Sequence, residues 1–368
     1  MPTAAPRGVP EAVVLVGGKG TRLRPLTVGT PKPMLPTAGV PFLHHVLAKA
    51  RAAGVEHVVL ATSYRPEVFQ DGLGDGSALG LRVDYVTEEV PLGTGGGIRN
   101  VAGLLEGGPD DPVVVLNGDV LSGHDLAGQV ARHVTSGADV TLHLTEVEDP
   151  RAFGCVPTDE HGRVTAFLEK TPDPVTNQVN AGCYVFRRSV VDAIPTGRPV
   201  SVERETFPGL IDSGALVLGH LETAYWADLG TPAAFVRGSC DLVLGVVGSA
   251  ALPGPTGESL LLPGSSVDPT AKVSGGTTVG TGARVEAGAV VDGSVLLDRA
   301  VVSAGATVRG SVVGEGAVVG PGCRLDGVVV GDRAVVGEGC ELTSGARVWC
   351  DAELPAYALR FSPDESPA

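Results

Sequence analysis

A stretch near the N-terminus combines glycines, a hydroxyl and cations at a spacing that could hold a polyphosphate. The apolar run from Val13 to Val16 predicts a buried parallel strand, and glycines follow it directly. Glycine lacks a Cβ atom, so its backbone N–H group can approach an anion closely. The glycines are Gly17, Gly18 and Gly20, and the polar side chains are Thr21, Arg22 and Lys32. Together they predict a phosphate-binding loop at the carboxyl end of a strand.

Two common phosphate-binding motifs are excluded by the residues in this loop. The Walker A motif requires Ser or Thr after its Gly-Lys pair, whereas Lys19 is followed by Gly20. The dinucleotide-binding fingerprint requires a third glycine at the position that Leu23 occupies. The loop therefore belongs to another class of phosphate-binding site.

Two aspartates stand where a metal ion could be bound. Asp119 follows the apolar run from Val113 to Leu116, and Asp228 lies just before a predicted helix. An aspartate at the carboxyl end of a buried strand can cap a helix or bind Mg²⁺, which takes few protein carboxylates and keeps phosphates and water in its shell. Asp228 could likewise bind a metal ion or accept hydrogen bonds in a turn. The residues alone leave both alternatives open for each aspartate.

The composition indicates a globular protein of two domains whose partners are not nucleic acids or membranes. The chain has 368 residues, of which 43% are hydrophobic and 19% charged, with a formal net charge of −15. That charge disfavours nucleic acid and anionic membranes, so phosphate binding must depend on a local group of cations. No apolar run reaches membrane-spanning length, and the six cysteines lack C-x-x-C spacing. We therefore expect a cytoplasmic protein with reduced thiols.

The first two thirds of the chain predict an α/β fold. Val55 to Ala61 and Leu81 to Val86 read as further strands, and Pro41 to Ala53 as a helix that ends at Gly54. Alternating strands and helices predict a mostly parallel sheet. Ligands of such sheets bind at the carboxyl ends of the strands, which is where the glycine loop lies.

The C-terminal third repeats an apolar residue at every sixth position, which predicts a left-handed parallel β-helix. The repeat comprises Val267, Val273, Val279, Val285, Val291 and Leu297, and after slips Val302, Val308, Val313, Val319, Leu325, Val330, Val336, Leu342, Val348 and Leu354. Each rung is too small to bury its own apolar face, so stacked rungs supply the core. The last histidine is His220, so this region lacks the histidine base of hexapeptide acyltransferases. We expect it to be a scaffold for homo-oligomerisation.

A stretch rich in Gly, Pro and Ser separates the two regions. We predict a first domain at residues 11–244, a linker at 245–260, the β-helix at 261–354 and a tail at 355–368. The end of the tail, from Arg360 to Ala368, is expected to be disordered.

The phosphate loop resembles the signature of the sugar-phosphate nucleotidyltransferases. Residues 17–27 read G-G-K-G-T-R-L-R-P-L-T and residues 31–33 read P-K-P, so every fixed position of the family pattern is filled. The resemblance extends over nearly the whole chain. It implies a Rossmann-like nucleotidyltransferase domain with a mixed, mostly parallel sheet, followed by the β-helix. It also implies that the glycine loop, Arg22 and Lys32 hold the phosphates of a nucleotide.

The resemblance implies roles for residues further along the chain. Asp119 and Asp228 would bind Mg²⁺, the cofactor of the reaction. The further nucleotide-binding residues would be Glu88 or Glu89, which read the base, together with Gly93 and Asn117. The sugar phosphate would be contacted by Gly154, Glu169, Lys170 and Asn180. Lys170 would hold the phosphate of the sugar and align it for attack, and Glu169 would hold sugar hydroxyls.

Within the family, the segment E-E-V-P-L-G-T-G and the pair of domains most resemble the members that join GTP to mannose 1-phosphate. Guanine offers N1–H and an amino group side by side, which a carboxylate can accept together. The spacing to Gly93 favours Glu88 over Glu89 for this contact. The resemblance thus implies GTP and a sugar 1-phosphate as substrates. Three alternatives stay open: glucose 1-phosphate with UTP or dTTP, a heptose phosphate with GTP, and a non-catalytic regulatory subunit that binds nucleotide sugars.

Overall fold

A computed structural model describes residues 10–343 and 345–359, so the end of the predicted tail from Arg360 to Ala368 lies outside the described residues. The helices are α1 (Phe42–Ala52), α2 (Pro66–Leu73), α3 (Gly93–Val101), α4 (Leu126–Ser136), α5 (Arg188–Ala193), α6 (Phe207–Asp212) and α7 (Pro232–Val243). The first strands are β1 (Glu11–Leu15), β2 (Pro36–Thr37), β3 (Val40–Pro41), β4 (His57–Thr62), β5 (Arg82–Thr87), β6 (Pro112–Asn117), β7 (Val120–Ser122), β8 (Val140–Glu146), β9 (Gly154–Cys155), β10 (Leu168–Glu169), β11 (Gln178–Arg187), β12 (Val217–Leu221) and β13 (Trp226–Asp228). The short C-terminal strands are β14 (Ser259–Leu261), β15 (Ser266–Val267), β16 (Lys272–Ser274), β17 (Thr277–Val279), β18 (Arg284–Val285), β19 (Val290–Asp292), β20 (Val295–Leu296), β21 (Val301–Val302), β22 (Thr307–Arg309), β23 (Val312–Val313), β24 (Val318–Val319), β25 (Arg324–Asp326), β26 (Val329–Val330), β27 (Val335–Val336), β28 (Glu341–Leu342), β29 (Arg347–Val348) and β30 (Glu353–Leu354).

The described chain divides into two compact units that do not follow the order of the sequence. The first unit combines the residues up to Gly18 with Val46–Trp226, and the second combines Lys19–His45 with the residues from Ala227 onward. The division runs through the phosphate loop, which places its first two glycines in one unit and its cations in the other. The domain boundaries at 244 and 261 stay predictions, and β14 begins at Ser259, inside the predicted linker.

A mixed sheet of nine strands forms the first unit, in the order β10-β9-β11-β6-β1-β4-β5, with β8 beside β11 and β12 beside β8. β1 lies between β4 and β6 and is parallel to both, and β5 extends this parallel part. β11 runs antiparallel to β6, which makes the sheet mixed, as predicted. β1, β4 and β6 are buried on both faces, which explains their continuous β-branched runs. The carboxyl ends of β1, β4 and β6 therefore meet at one edge.

A buried charge network holds the opposite edge of this sheet together. His57 contacts Glu11 through Nδ1 at 2.6 Å and Asp84 through Nε2 at 2.9 Å. The Glu11 carboxylate also accepts the backbone N–H groups of Glu106 and Gly107. Burial by itself raises the pKa of Glu11, but the hydrogen bonds from His57 and from the two backbone groups outweigh it and leave the pKa below its usual value. The network joins the first residues of β1 and β4.

Replacing His57 is expected to destabilise the first unit. His57→Leu removes a hydrogen-bond partner of a glutamate that is only 8% exposed, which should lower the free energy of unfolding by about 2 kcal/mol. The folded-state pKa of Glu11 is lowered, so its contribution is present above the unfolded value of 4.5 and is lost as the pH falls below it. The difference between wild type and His57→Leu should therefore shrink in acid. Urea unfolding between pH 7 and pH 3 measures this, with the exposed His161→Leu as the control.

The second unit contains a parallel β-helix. Its short strands form three all-parallel sheets of six, six and five strands, in which each coil adds one strand to each sheet. The interior is lined by the residues of the sixfold repeat, together with small residues at the corners, among them Ala283, Ala300, Ala317 and Ala334. The predicted β-helix is therefore confirmed as a fold, and its left-handedness stays a prediction.

One position of the predicted repeat is wrong. Leu296, not Leu297, faces the interior, where it pairs with Val279 on one side and Val313 on the other. Leu297 packs instead in a cluster outside the β-helix. The reason is that only five positions separate Val291 from Leu296, so the turn into this sheet is one residue shorter than the other two turns. The slip in the repeat thus occurs before Leu297, not after it.

Two further expectations concern the whole described chain. All six cysteines are free thiols, and five of them are buried, as the absence of C-x-x-C spacing suggested. No helix in the part of the chain that the structure describes is long and apolar enough to cross a membrane.

Candidate functional site

The first half of the phosphate loop lies at the carboxyl end of β1. The Gly17 carbonyl accepts a hydrogen bond from the Ser63 hydroxyl at 2.5 Å. A Cβ atom on Gly17 would lie 2.8 Å from that hydroxyl, so a side chain there would displace the Ser63 hydroxyl from this hydrogen bond. Among the described residues, a Cβ placed on Gly18 has no neighbour within 4 Å outside its own stretch of chain, so the space on that side of the loop is free.

Asp119 is held beside the beginning of this loop by the glycine that precedes it. The Gly118 N–H donates to the Leu15 carbonyl at 2.9 Å. A Cβ atom on Gly118 would lie 2.6 Å from a Val16 methyl and 2.9 Å from the Leu15 carbonyl oxygen, so a side chain is sterically excluded. The close approach of β6 to β1 places Asn117 and the half-buried Asp119 at the ligand-binding edge of the sheet.

A bulge in β11 brings the predicted sugar-binding Asn180 to the same edge. The pairing of β11 with β8 shifts register between Asn180 and Tyr184, and Gly182 there has a φ of +75°. The Asn180 amide donates to the Tyr184 hydroxyl at 2.8 Å, and its oxygen accepts the Gly182 N–H at 3.1 Å. A Cβ atom on Gly182 would lie 2.8 Å from the Asn117 amide nitrogen. The segments of Asn117 and Asn180 are thus neighbours.

Gly154, Glu169 and Lys170 form a second local group in the first unit. Glu169 pairs with Gly154 across an antiparallel ladder, and a Cβ on Gly154 would lie 2.7 Å from the Phe167 ring. Lys170 adopts a φ of +50°, which is rare for a residue with a side chain, and its N–H donates to the Phe153 carbonyl at 3.1 Å. The pairing of β9 with β10 and this backbone hydrogen bond thus hold the three residues in one local group.

The structure distinguishes the two candidate base-reading glutamates. The Glu88 carboxylate is half-buried, accepts the Leu92 N–H at 3.1 Å and lies 2.7 Å from a Cβ placed on Gly97 of α3. Burial raises the pKa of Glu88, and the hydrogen bond from Leu92 only partly offsets this. Glu89 is exposed. Glu88 is therefore the glutamate with a fixed position beside the start of α3.

The glycines that open α3 allow a contact that sequence analysis missed. The N–H groups of Gly95 and Gly96 both donate to the Val200 carbonyl, at 2.8 and 3.2 Å, and a Cβ on Gly93 would lie 2.6 Å from the same oxygen. The Thr94 hydroxyl donates to Glu203 at 2.7 Å. The segment around Val200 thus supports the start of α3, beside the predicted base-reading Glu88. No local signal in the sequence marks the Val200 segment as a neighbour of α3, because the two lie about a hundred positions apart.

The cationic half of the phosphate loop lies in the second unit. Gly20 has a left-handed φ of +60°, and its carbonyl accepts the Thr27 hydroxyl at 2.8 Å. A Cβ atom there would lie 3.0 Å from both the Lys32 Cβ and a Thr27 methyl, so a side chain at this left-handed position would be strained and crowded. The turn leaves Thr21 and Arg22 exposed, whereas Lys32 is only 9% exposed.

Asp228 lies between the side chains of Arg22 and Lys32. Its carboxylate oxygens are 3.5 Å from Lys32 Nζ and 3.9 Å from an Arg22 nitrogen. The Arg22 guanidinium lies directly against Gly230, and a Cβ atom on this residue would overlap that group. The ion pairs are longer than a strong charge-assisted hydrogen bond, so they orient the three charges without saturating the carboxylate. The arrangement can present two cations and one carboxylate to a phosphate–metal complex.

The donors fit Mg²⁺ rather than a metal held by protein alone. Asp119 and Asp228 offer hard carboxylate oxygens, and Mg²⁺ is typically bound by one or two carboxylates plus substrate phosphates and water. Among the described residues, no group of three or more His, Cys, Asp or Glu side chains gathers as an all-protein metal site would. The predicted Mg²⁺ thus agrees with the chemistry of the two aspartates.

Each unit brings together its own share of the predicted site residues. The first unit contains Gly17, Gly18, Glu88, Glu89, Gly93, Asn117, Asp119, Gly154, Glu169, Lys170 and Asn180. The second contains Gly20, Thr21, Arg22, Lys32 and Asp228. Their individual roles stay predictions.

The sequence of the chain matches two family models and several known proteins. A family model described as nucleotidyl transferase matches residues 11–243, and one described as the GMPPB C-terminal domain matches residues 256–357. The chain is 61% identical to a mannose-1-phosphate guanylyltransferase of Mycobacterium tuberculosis over 96% of this chain and 98% of that one. It is 35% identical to mannose-1-phosphate guanylyltransferase 1 of Arabidopsis thaliana over 79% of this chain and 81% of that one.

Solved structures support the same fold. HddC from Yersinia pseudotuberculosis, crystallised in complex with GMP-PN, superposes with a TM-score of 0.54 and 27% identity, over 62% of this chain and 97% of that one. A putative glucose-1-phosphate thymidylyltransferase from Bacillus anthracis superposes with a TM-score of 0.57 over 62% of this chain and 93% of that one. Its 21% identity supports the fold alone.

Proposed function

The chain belongs to the nucleotidyl transferase family, and we propose that it converts GTP and α-D-mannose 1-phosphate into GDP-mannose and pyrophosphate. One observation carries this proposal: the identity of 61% to the mycobacterial mannose-1-phosphate guanylyltransferase extends over nearly the full length of both chains. The filled phosphate-loop signature and the presence of both aspartates disfavour a regulatory subunit without catalysis.

The reaction needs no general base. The second pKa of a phosphate monoester is about 6, so mannose 1-phosphate already carries the attacking oxyanion near neutral pH. One of its oxygens attacks the α-phosphorus of GTP. The bond between the α-phosphorus and the oxygen that bridges it to the β-phosphorus breaks, and pyrophosphate leaves in line. Catalysis then consists of positioning the reactants and neutralising their charge.

Three cations of the proposed site neutralise the charge of the reacting phosphates. We assign the β- and γ-phosphates of GTP to the glycine loop and Arg22, and the charge around the reacting phosphates to Lys32. Burial supports this role for Lys32, because a charge with little access to water acts more strongly on a neighbouring phosphate. Lys170, at its strained position beside Glu169, holds the phosphate of the sugar and orients the attacking oxygen.

Members of the family typically use a divalent metal ion, and we propose Mg²⁺ here, with Asp119 and Asp228 as its protein ligands. When bound, the ion draws charge away from the phosphate oxygens during the transfer. The contribution of the chain is to hold the two carboxylates in place through Gly118 and Gly230, whose missing side chains let the backbone lie close to its neighbours.

Glu88 is proposed to read the guanine base. Glu88→Gln should lower kcat/KM for GTP by about 10- to 100-fold, because an amide cannot accept both guanine donors as a carboxylate does. Glu89→Gln, the adjacent and exposed residue, is the matched control and should change it by less than about twofold. Competition between GTP and ATP at a fixed mannose 1-phosphate concentration measures the preference. The opposite pattern, with loss only in Glu89→Gln, would transfer the role to Glu89.

The proposed function is tested by pyrophosphate release with Mg²⁺, in which GTP, UTP, dTTP, ATP and CTP are each combined with mannose 1-phosphate and with glucose 1-phosphate. A preference for GTP with mannose 1-phosphate is expected. Turnover with UTP or dTTP would retain the mechanism and contradict the base assignment. No turnover with any pair, together with tight binding of GDP-mannose, would favour a regulatory subunit.

Two predictions complete the proposal. We propose that the protein is a homo-oligomer through its β-helix, which light scattering of the purified protein measures directly. We also keep the predicted cytoplasmic location, to which six cysteines without disulfides are suited.

A further inference from the structure

One outward-facing column of the β-helix is buried as completely as its interior. Successive strand residues point to opposite faces, so the residue before each inward valine or leucine points out. In the sheet that contains β20, β23 and β26, these outward residues are Val295, Val312 and Val329, which we call the outer valine column. Their exposed fractions are 1%, 0% and 2%. Something other than the β-helix must therefore cover them.

The cover comes from the phosphate-loop segment and from α7. The outer valine column shares one apolar cluster with Leu23, Leu26 and Leu35 of the loop segment and with Phe235, Val236 and Cys240 of α7. Leu23 directly follows Arg22, and Leu35 follows Lys32 by three residues. The cations thus lie on segments whose apolar residues are packed on the β-helix.

The neighbouring column shows that this burial is specific to one face. Val301, Val318 and Val335 occupy the same outward position on the next sheet of the same coils, yet each is only half-buried. Both columns read as paired apolar residues in the sequence. The difference lies in what covers them, so the two columns form a matched pair for experiment.

Polar contacts extend the packing at the end of the outer valine column. Arg347 pairs with Val329 in the next coil, and its guanidinium donates to the Arg24 carbonyl at 2.6 Å. The Cys350 thiol lies 3.7 Å from the Pro25 carbonyl that accepts from it. A Cβ on Gly331 would lie 3.0 Å from the Pro25 ring, so the loop segment rests directly on the β-helix backbone.

The same surface fixes the helix that follows Asp228. α7 begins at Pro232, and the Thr231 hydroxyl caps it by accepting the Ala234 N–H at 3.2 Å. Near its other end, a Cβ on Gly276 would lie 2.6 Å from the Cys240 carbonyl, which shows how closely α7 lies against the β-helix. The position of Asp228 therefore depends on a helix that is packed on this face.

We propose that the outer valine column is a positioning surface for nucleotide binding, which sets the places of Arg22, Lys32 and Asp228 through the segments that carry them. The inference rests on the proposed function. It makes the β-helix a part of the nucleotide site in addition to its predicted role in oligomerisation. The three valines are positioning residues, since they act through the leucines and through α7.

The test compares two double variants. Val295→Ala with Val312→Ala opens a cavity beneath the loop segment, whereas Val301→Ala with Val318→Ala removes the same atoms from the same coils on the half-buried face. A displacement of about 1 Å can cost 10²-fold in rate, so the first variant should lose at least about tenfold in kcat/KM for GTP. The KM for mannose 1-phosphate should stay within about twofold, because its predicted ligands lie in the other unit. The control variant should keep both parameters.

Hydrogen–deuterium exchange provides a readout that does not depend on turnover. Peptides that cover residues 21–35 should exchange faster in the first variant and at the wild-type rate in the control. Equal exchange and a kcat/KM for GTP within twofold of wild type in the first variant would overturn the proposal, as would equal losses in both variants. The two proposals can fail separately. If the variants exchange as expected but the wild type does not turn over GTP with mannose 1-phosphate, the proposed function would be contradicted and the packing result would stand.

A milder variant covers the case in which the first double variant does not fold. Arg347→Ala removes the hydrogen bond to the Arg24 carbonyl from an exposed side chain, and Arg324→Ala on another sheet is its control. Faster exchange at residues 21–35 and a lower kcat/KM for GTP in Arg347→Ala alone would support the proposal. Wild-type behaviour of Arg347→Ala in both measurements would overturn it.

Discussion

Asp228→Asn is expected to reduce kcat by about 10²- to 10³-fold while the protein stays folded. Asparagine keeps the shape of the side chain but removes the charge that lies 3.5 Å from Lys32 and 3.9 Å from Arg22. The loss affects both the orientation of the two cations and the affinity for Mg²⁺. Asp119→Asn, in the other unit, should cause a loss of similar size through a lower affinity for Mg²⁺.

Kinetics at several Mg²⁺ concentrations separate these effects. Both variants should require more Mg²⁺ for half-maximal rate and should stay folded. The thermal midpoint of Asp228→Asn should be the lower of the two, because this change removes a charged partner of the buried Lys32 ammonium group. Asp326→Asn, an exposed aspartate on the β-helix, should behave as wild type in every assay. Near wild-type turnover of either Asp119→Asn or Asp228→Asn would remove that residue from the metal site.

Lys32→Gln is expected to lower kcat by about 10²-fold, since it removes a buried cation from the proposed site of the reacting phosphates. The side chain is 9% exposed and closely packed, with its Cβ 3.0 Å from the position that a Cβ on Gly20 would take. A guanidinium is larger and planar, so Lys32→Arg should not restore the rate. Single-turnover measurements with saturating GTP report the chemical step directly.

The control for this prediction is Lys272→Gln, which removes an exposed lysine from the β-helix and should leave the rate unchanged. If Lys32→Gln raised KM for GTP and left kcat intact, Lys32 would bind GTP equally well in the ground state and in the transition state. Recovery of the rate in Lys32→Arg would show that a positive charge suffices there and that the compact ammonium is not required.

Much of the site was predictable because its parts are local in the sequence. Gly17, Gly20 and Gly118 stand next to charged or polar residues of the predicted site, so these glycine-rich segments can be recognised in the sequence. The contacts that favour glycine at Gly17 and Gly118 are made with Ser63, Leu15 and Val16, which lie far away along the chain. The sixfold repeat is equally local, since each coil packs on the next with the same geometry. The prediction was wrong only at Leu297, because the turn before Leu296 is one residue shorter and this changes which side chain faces inward.

Other features depended on contacts that no local pattern encodes. Glu88 and Glu89 are chemically equivalent in the sequence, and only packing against α3 buries one of them. The hydrogen bonds from the first turn of α3 to Val200 likewise join segments about a hundred residues apart.

The sequence by itself thus determined the family, the α/β and β-helix folds, and the identity of the charged groups that could handle phosphates. Backbone sterics and side-chain periodicity act over a few residues, so they can be read directly. The tertiary structure alone decided that the segment with Arg22 and Lys32 packs on the outer valine column, while the similar column of Val301, Val318 and Val335 is left half-exposed. Burial of an outward-facing valine depends on which distant segment covers it, and that is a property of the folded chain.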